Sequence, residues 1–91
     1  MATIAEWLKI DGEHVAESLR EAREKLNPAD GQLVLDFSSI GRINAKALAA
    51  LEKLAGSAEE KGVKLVLRAV NVDIYKVLKL AGLSPRFSFL T

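Results

Sequence analysis

The sequence predicts an α/β fold with a sheet of about four mainly parallel strands and three to four helices, mostly on one face. Three observations support this class. Strand and helix patterns alternate along the chain, each helix carries one apolar stripe, and the connections are long enough for crossovers between parallel strands. A length of 91 residues suits one domain over residues 1–91.

The chain is predicted to open with one strand and one helix. Residues 3–10 favour a strand, because β-branched and aromatic side chains are frequent there and Asp11-Gly12 follows as a turn. Residues 13–26 predict an amphipathic helix that ends at Asn27-Pro28. Residues 1–12 are long enough for one strand only.

Strands and helices alternate through the rest of the chain. Residues 32–37 form an almost unbroken apolar run, which is typical of a central strand buried on both faces. Residues 45–61 predict a helix that ends at Lys61-Gly62, where a cation precedes a residue tolerant of the left-handed conformation. The remaining predicted elements are a strand over 63–69, a helix over 72–81 and a short strand over 87–90.

Composition argues against several classes of function. The chain has no cysteine, which removes disulfides, thiolate nucleophiles and cysteine zinc sites. A net charge of +1 argues against nucleic-acid binding, and no apolar run reaches the roughly 20 residues of a membrane span. The first residues do not follow the pattern of a signal peptide. We therefore expect a cytoplasmic protein with no nucleic-acid partner and no membrane span.

The charges are unevenly divided along the chain. Residues 1–30 carry four Lys/Arg and seven Asp/Glu, whereas residues 31–91 carry nine and five. Solvated helix and strand faces are the simpler explanation of this division. The alternative is that the basic part of the chain receives an acidic partner or an anionic head group.

Two loops are expected to meet at one rim of the sheet. Because parallel strands end at the same edge, the loops 38–44 and 70–71 should lie together with the starts of the helices that follow them. Asn44 and Asn71 are placed to cap those two helices. Lys46 falls in the first turn of its helix, where the helix dipole disfavours a cation.

The sequence predicts no catalytic group, no metal site and no cofactor. His14 is the only histidine, and no second ligand or nucleophile stands at motif spacing from it. Asp36 and Asp73 have no acid–base partner in the sequence. Trp7 is either a core residue, which is the more common fate of a tryptophan, or part of an interface.

Three stretches of the sequence resemble the STAS domain family, the module of bacterial anti-sigma factor antagonists, of some anion transporters and of a lipid-transport complex. The stretches are LVLDFSSIGRINAKAL, EKGVKLVLRAVN and VLKLAGLSPRFSF, and they stand in the family's order and spacing within residues 32–90. The resemblance implies a STAS-like single-domain fold. The family usually opens with a two-strand hairpin, whereas residues 1–12 fit one strand only. We therefore expect an open sheet edge at the N-terminal strand, through which a second copy could form a homodimer.

The resemblance ends at the family's phosphorylation site. There the family opens a helix with Asp-Ser-Ser-Gly, whose second Ser can be phosphorylated. In this chain Asn44 takes the Asp position, and Ala45 and Lys46 take the two Ser positions. Neither Ala45 nor Lys46 accepts a phosphoryl group, so the family's switch is not expected to operate here. Ser38 and Ser39 are expected to be turn residues.

The residues and the resemblance together predict a non-catalytic module that binds another protein through residues 38–48 and 70–76. Within the resemblance, the partner is an anti-sigma factor-like kinase. The alternative is a transporter ATPase, with the chain as a small accessory subunit of a membrane lipid-transport ABC complex. The residues predicted to bind the partner are Ser38, Ser39, Arg42, Asn44, Ala45, Lys46, Leu48, Asn71, Val72 and Tyr75.

Overall fold

Four parallel strands form one sheet, and three helices connect them. The computed structural model describes residues 6–90. The strands are β1 (Glu6–Lys9), β2 (Gln32–Asp36), β3 (Lys64–Arg68) and β4 (Ser88–Leu90), and the helices are α1 (Val15–Glu24), α2 (Ala45–Lys61) and α3 (Val72–Leu80). Short 3-10 turns lie at Pro28–Asp30 and Ser84–Arg86. The predicted four-stranded α/β class is confirmed.

The strands follow one another across the sheet in the order β1-β2-β3-β4, and each neighbouring pair is parallel. Because every crossover steps in the same direction, right-handed connections place all three helices on one face. Side chains of that face and of the helices form one buried core, whose largest fully buried members are Phe37, Ile10, Leu19, Leu35, Leu51, Leu54, Leu67, Ile74 and Leu78. The helix layer therefore sits above β2 and β3, the two central strands.

The ends of α2 follow the local signals in the sequence. The Asn44 side chain accepts a hydrogen bond from the backbone N–H of Ala47 at 2.8 Å, which caps the first turn. Gly62 ends the helix with φ +69°, a left-handed conformation that glycine adopts without a Cβ clash. The predicted boundaries of this helix, 45–61, are confirmed.

Other element ends within the described residues differ from the prediction by one or two residues. Helix α1 begins at Val15 rather than residue 13, because the N–H groups of Glu13 and His14 bond back to Asp11 and form a separate turn. Helix α3 ends at Leu80 rather than residue 81, and Ala81 is exposed. The first three residues of the predicted strand 3–10 lie outside the described residues.

The sheet face opposite the helices carries a small cluster around Trp7. The Trp7 side chain is 53% exposed, which rules out its interpretation as a core residue. The Arg68 guanidinium lies over its ring, 5.0 Å from the centroid, and also pairs with Asp36 at 3.4 Å. Val34 lies beside Trp7 in the sheet register and is buried. Strand β1 lies at one edge of the sheet. A homodimer through this edge stays a prediction.

Candidate functional site

The carboxyl ends of the parallel strands form one rim, and α1, α2 and α3 all begin there. We use "the rim" for residues 38–48 and 70–76, the segments that follow β2 and β3. The rim contains every residue that the sequence predicted to bind a partner. Their placement at one edge of the sheet confirms the geometric expectation, whereas their role in binding stays a prediction.

Asn71 joins the two loops of the rim. Its side-chain oxygen accepts a hydrogen bond from the N–H of Ile74 at 2.8 Å, which caps α3. Its side-chain nitrogen donates to the carbonyl oxygens of Ile40 and Gly41, each at 3.2 Å. One amide therefore caps a helix and holds the β2–α2 loop in place. Asn71 was predicted as a contact residue, and the structure adds a positioning role.

The turn after β2 is held by two local hydrogen bonds. The N–H of Ser38 donates to the Asp36 carboxylate at 2.9 Å, and the N–H of Ile40 donates to the Phe37 carbonyl at 3.0 Å. The Ser38 N–H lowers the pKa of Asp36, and the nearby Arg68 guanidinium lowers it further. Ser38 and Ser39 are exposed turn residues, as predicted.

A tight backbone contact joins this turn to the start of α1. The carbonyl oxygen of Ser39 approaches Gly12 so closely that a methyl group at that position would overlap it. Gly12 is therefore required because the two loops approach too closely for a Cβ atom, whereas Gly62 is required for its left-handed conformation. The β2–α2 loop is thus held from both sides, by Gly12 and by Asn71.

A cleft separates the starts of α1 and α2. It encloses about 270 Å³, and its lining includes Glu13, His14, Glu17, Arg42, Asn44 and Lys46. Arg42 and Lys46 are exposed and form no ion pair within residues 6–90. The two carboxylates of the α1 side lie in the same lining, so the rim is mixed in charge rather than uniformly positive.

A second cleft lies between the β2–α2 loop and α3. It encloses about 390 Å³ and is lined by Arg42, Ile43, Asp73, Ile74 and Val77. Arg42 therefore borders both clefts. The rim thus presents two neighbouring concave surfaces that share one exposed cation.

Two large apolar side chains near the start of α3 are exposed. Val72 is 68% exposed and Tyr75 is 41% exposed, with the Tyr75 ring edge-on to Phe89 at 5.2 Å between centroids. Leu48 is half-buried and packs against the core, so much of its surface is already used. Of the predicted contact residues, Val72 and Tyr75 offer the largest free apolar area.

Ala69 leads from the end of β3 into the rim. Its φ of +59° is left-handed, a conformation that costs a non-glycine residue roughly 1–2 kcal/mol. No signal in the sequence marks it, because glycine, the usual occupant of such a position, is absent. The strain is carried at the point where the chain turns toward Asn71.

Among the residues that the structure describes, no three His, Asp or Glu side chains are grouped to hold a metal ion. None of the helices in the described part of the chain is long and apolar enough to cross a membrane.

His14, which lines the first cleft, pairs with Asp11. The His14 Nδ1 and Asp11 Oδ2 atoms lie 3.2 Å apart on the exposed surface.

We expect the pKa of His14 to lie above its ordinary value, because the Asp11 carboxylate stabilises the imidazolium. The Glu13 N–H, followed by His14, lowers the pKa of Asp11. A raised histidine pKa stabilises the fold below the ordinary histidine pKa and loses that effect as pH rises through the folded value. The lowered Asp11 pKa stabilises the fold above the ordinary carboxyl pKa.

NMR titration of the single imidazole should show the raised pKa of His14, and Asp11→Asn should lower the pKa of His14. An unchanged titration in Asp11→Asn contradicts the pairing.

A family model described as "Mlab, STAS domain" matches residues 7–90. The chain belongs to the STAS domain family. A sulfate transporter family protein from Wolinella succinogenes is similar to this STAS domain at 24% identity and a TM-score of 0.78, over 93% of this chain and 75% of the other. A Thermotoga maritima protein described as an anti-sigma factor antagonist is similar at 20% identity and a TM-score of 0.70, over 98% and 74%. Curated proteins gave no significant match.

At these identities the two solved structures show a shared fold. The start of α2 is the part of this STAS domain to compare with the family, because the family's serines align with its first residues. Asn44 is the cap, and Ala45 and Lys46 are the first two helical residues, all three exposed. Residues 40–48 contain no Ser, Thr or Tyr.

Proposed function

We propose that this STAS domain is a non-catalytic module that binds another protein through the rim, without a phosphorylation switch. One observation carries the proposal: the first turn of α2 is exposed, yet it presents Ala45 and Lys46 and no hydroxyl group. A surface of this kind binds by permanent shape and charge. Its regulation would then follow the amount of partner rather than a covalent change.

The surface chemistry of the rim supports protein binding. Exposed Val72 and Tyr75 provide apolar area, and Arg42 and Lys46 provide charges without an internal partner among the described residues. Interfaces combine such an apolar centre with a polar border. The loop is already held by Asn71, so binding costs little ordering of the backbone. A partner that presents carboxylates beside an apolar patch fits this surface.

Two classes of partner follow from the family. The first is an anti-sigma factor-like kinase, and the second is the ATPase of a membrane lipid-transport complex that the chain would brace as an accessory subunit. The match to the Mlab model favours the second class. Both partners use ATP, which is consistent with the cytoplasmic location expected from the sequence. The identity of the captured protein decides between them.

Charge reversal at Lys46 tests the proposal. We expect Lys46→Glu to weaken capture of the native partner by about tenfold, because an acidic partner then meets a like charge. The same change should stabilise the isolated domain by about 0.3–1 kcal/mol, since an acidic residue suits the helix start. Loss of binding therefore cannot be attributed to unfolding. The measurement is a quantitative pull-down with mass spectrometry, beside thermal unfolding of each variant.

Lys64→Glu is the matched control, because Lys64 is exposed at the opposite edge of the sheet, where β3 begins. Equal loss of capture in both variants, or none in either, contradicts binding through the rim. The same mass spectra test the missing switch. Phosphate on Ser38 or Ser39 in the protein from native cells would contradict an unswitched module.

A further inference from the structure

A groove runs between α1 and α2 on the outer side of the helix layer. It encloses about 280 Å³. Its floor is apolar and made mostly of small side chains, Ala16, Leu19, Ala49 and Ala50. Its walls carry four cations, Arg20, Arg23, Lys46 and Lys53, and no carboxylate lines it. Of its lining residues, Ala16 and Lys46 also line the cleft at the rim, and Lys46 is the cation that the two share.

The four cations have no partner inside the described fold. The three ion pairs within residues 6–90 involve Asp11, Asp36 and Glu59, and none involves a groove residue. Carboxylates lie at the two ends instead. Glu13 and Glu17 line the cleft at the rim, and Glu24 and Glu60 line a hollow of about 510 Å³ beyond Arg20 and Arg23. Positive charge is therefore concentrated in the middle of the groove.

We propose that this groove binds an acidic amphipathic helix of another protein. Small side chains in the floor let a helix backbone approach closely, as in other helix-in-groove recognition. Helix α1 has ten residues and so spans about 15 Å, which matches a partner helix of about three turns. The partner helix places apolar residues on the floor and acidic residues along both sides, in its central turns.

The spacing of the cations suits this occupant. Lys46 and Lys53 are seven residues apart on α2, about two turns or 10 Å, while Arg20 and Arg23 are one turn apart on α1. Acidic residues spaced by three, four or seven on a helix meet both rows. Guanidinium groups add bidentate hydrogen bonds to carboxylates, which favours arginine on the α1 wall.

A second copy of this chain is a poorer occupant. Its exposed acidic residues on α1, Glu17, Glu21 and Glu24, form a stripe without an apolar side chain to fill the floor. An acyl chain is also a poorer fit, because the floor has only one large apolar side chain, Leu19, and that side chain is already buried. The groove therefore favours a protein helix with both apolar and acidic faces.

The test uses a fluorescein-labelled, lactam-stapled peptide of about 12 residues, with leucine and alanine on one face and glutamate on both flanks. Fluorescence anisotropy measures its affinity for the full chain. We expect Lys53→Glu to weaken binding by about tenfold and Ala49→Gln by about fivefold, with Lys64→Glu within about twofold of the wild type. Lys53 and Ala49 are exposed, so both variants should keep the fold.

The controls distinguish the proposed helix from three alternatives: attraction by charge alone, a lipid surface and a second copy of the chain. Equal binding of a peptide with lysine in place of glutamate, or unchanged binding in Ala49→Gln, overturns it, because charge alone would then explain the affinity. Tighter binding to phosphatidylglycerol vesicles than to the peptide overturns it in favour of a lipid surface. A dimer that Lys53→Glu dissociates in sedimentation overturns it in favour of a second copy. Lys53→Glu should leave capture by the rim unchanged, which keeps the two proposals separable.

Discussion

Replacing Phe37 with alanine will lower the free energy of unfolding by about 3–5 kcal/mol. The Phe37 side chain is fully buried in the core directly after β2. Its removal loses apolar contact and leaves a cavity that the surrounding helices fill only partly. A domain of this size has about 5–10 kcal/mol of stability in total, so the variant will be close to unfolding at room temperature. Urea denaturation followed by circular dichroism measures the loss.

The destabilisation in Phe37→Ala will also affect the rim. The N–H of Phe37 donates to the Arg68 carbonyl at 2.8 Å, and its own carbonyl accepts from Ile40 at 3.0 Å. The residue therefore joins the core to the loop that carries the candidate site. Phe89→Ala is the matched control, since Phe89 is only half-buried and its truncation should cost about 1–2 kcal/mol. Equal losses in the two variants would contradict the role given to Phe37.

Asn71→Ala will lower the free energy of unfolding by about 2–4 kcal/mol. The variant loses the cap of α3 and both hydrogen bonds to the β2–α2 loop. Asn44→Ala is the matched control, because Asn44 caps α2 through a single bond and its loss should cost about 1 kcal/mol. The difference between the two variants measures the link between the loops. Denaturation and amide exchange of residues 38–44 are the readouts.

Asn71→Asp separates the two roles of the side chain. Aspartate caps a helix as well as asparagine does, but it places a carboxylate against the carbonyl oxygens of Ile40 and Gly41. We expect this variant to lose about 1–3 kcal/mol and to speed amide exchange in the β2–α2 loop, while the first turn of α3 stays protected. Wild-type stability in Asn71→Asp would show that the loop does not depend on this amide.

Local signals predicted the elements that are closed by their own residues. Helix α2 has the predicted bounds because Asn44 and Gly62 act on the backbone next to them. The same holds for the cap of α3 by Asn71. The start of α1 was missed by two residues, because Asp11 forms a competing turn with the N–H groups that follow it. Such competition between a turn and a helix is settled by small energy differences.

The candidate site was predicted in part. The pattern of strands and helices placed residues 38–48 and 70–76 at one edge, because parallel strands end together. It also showed the missing hydroxyl groups at Ala45 and Lys46, which is a property of composition alone. The proximity of Glu13 and Glu17 to Arg42 and Lys46 was not predicted, since the two pairs are distant in the chain and meet only across the cleft.

Periodicity and capping residues were sufficient for the fold class and the order of elements, because both depend on neighbours in the chain. The lack of a hydroxyl side chain at Ala45 and Lys46 follows directly from their identity. Packing was required for the rest: the exposure of Trp7 beneath Arg68, the two loops joined by Asn71, and the cationic groove between α1 and α2. Those features arise from distances between residues far apart in sequence, and such distances are set when the helix layer and the sheet come together.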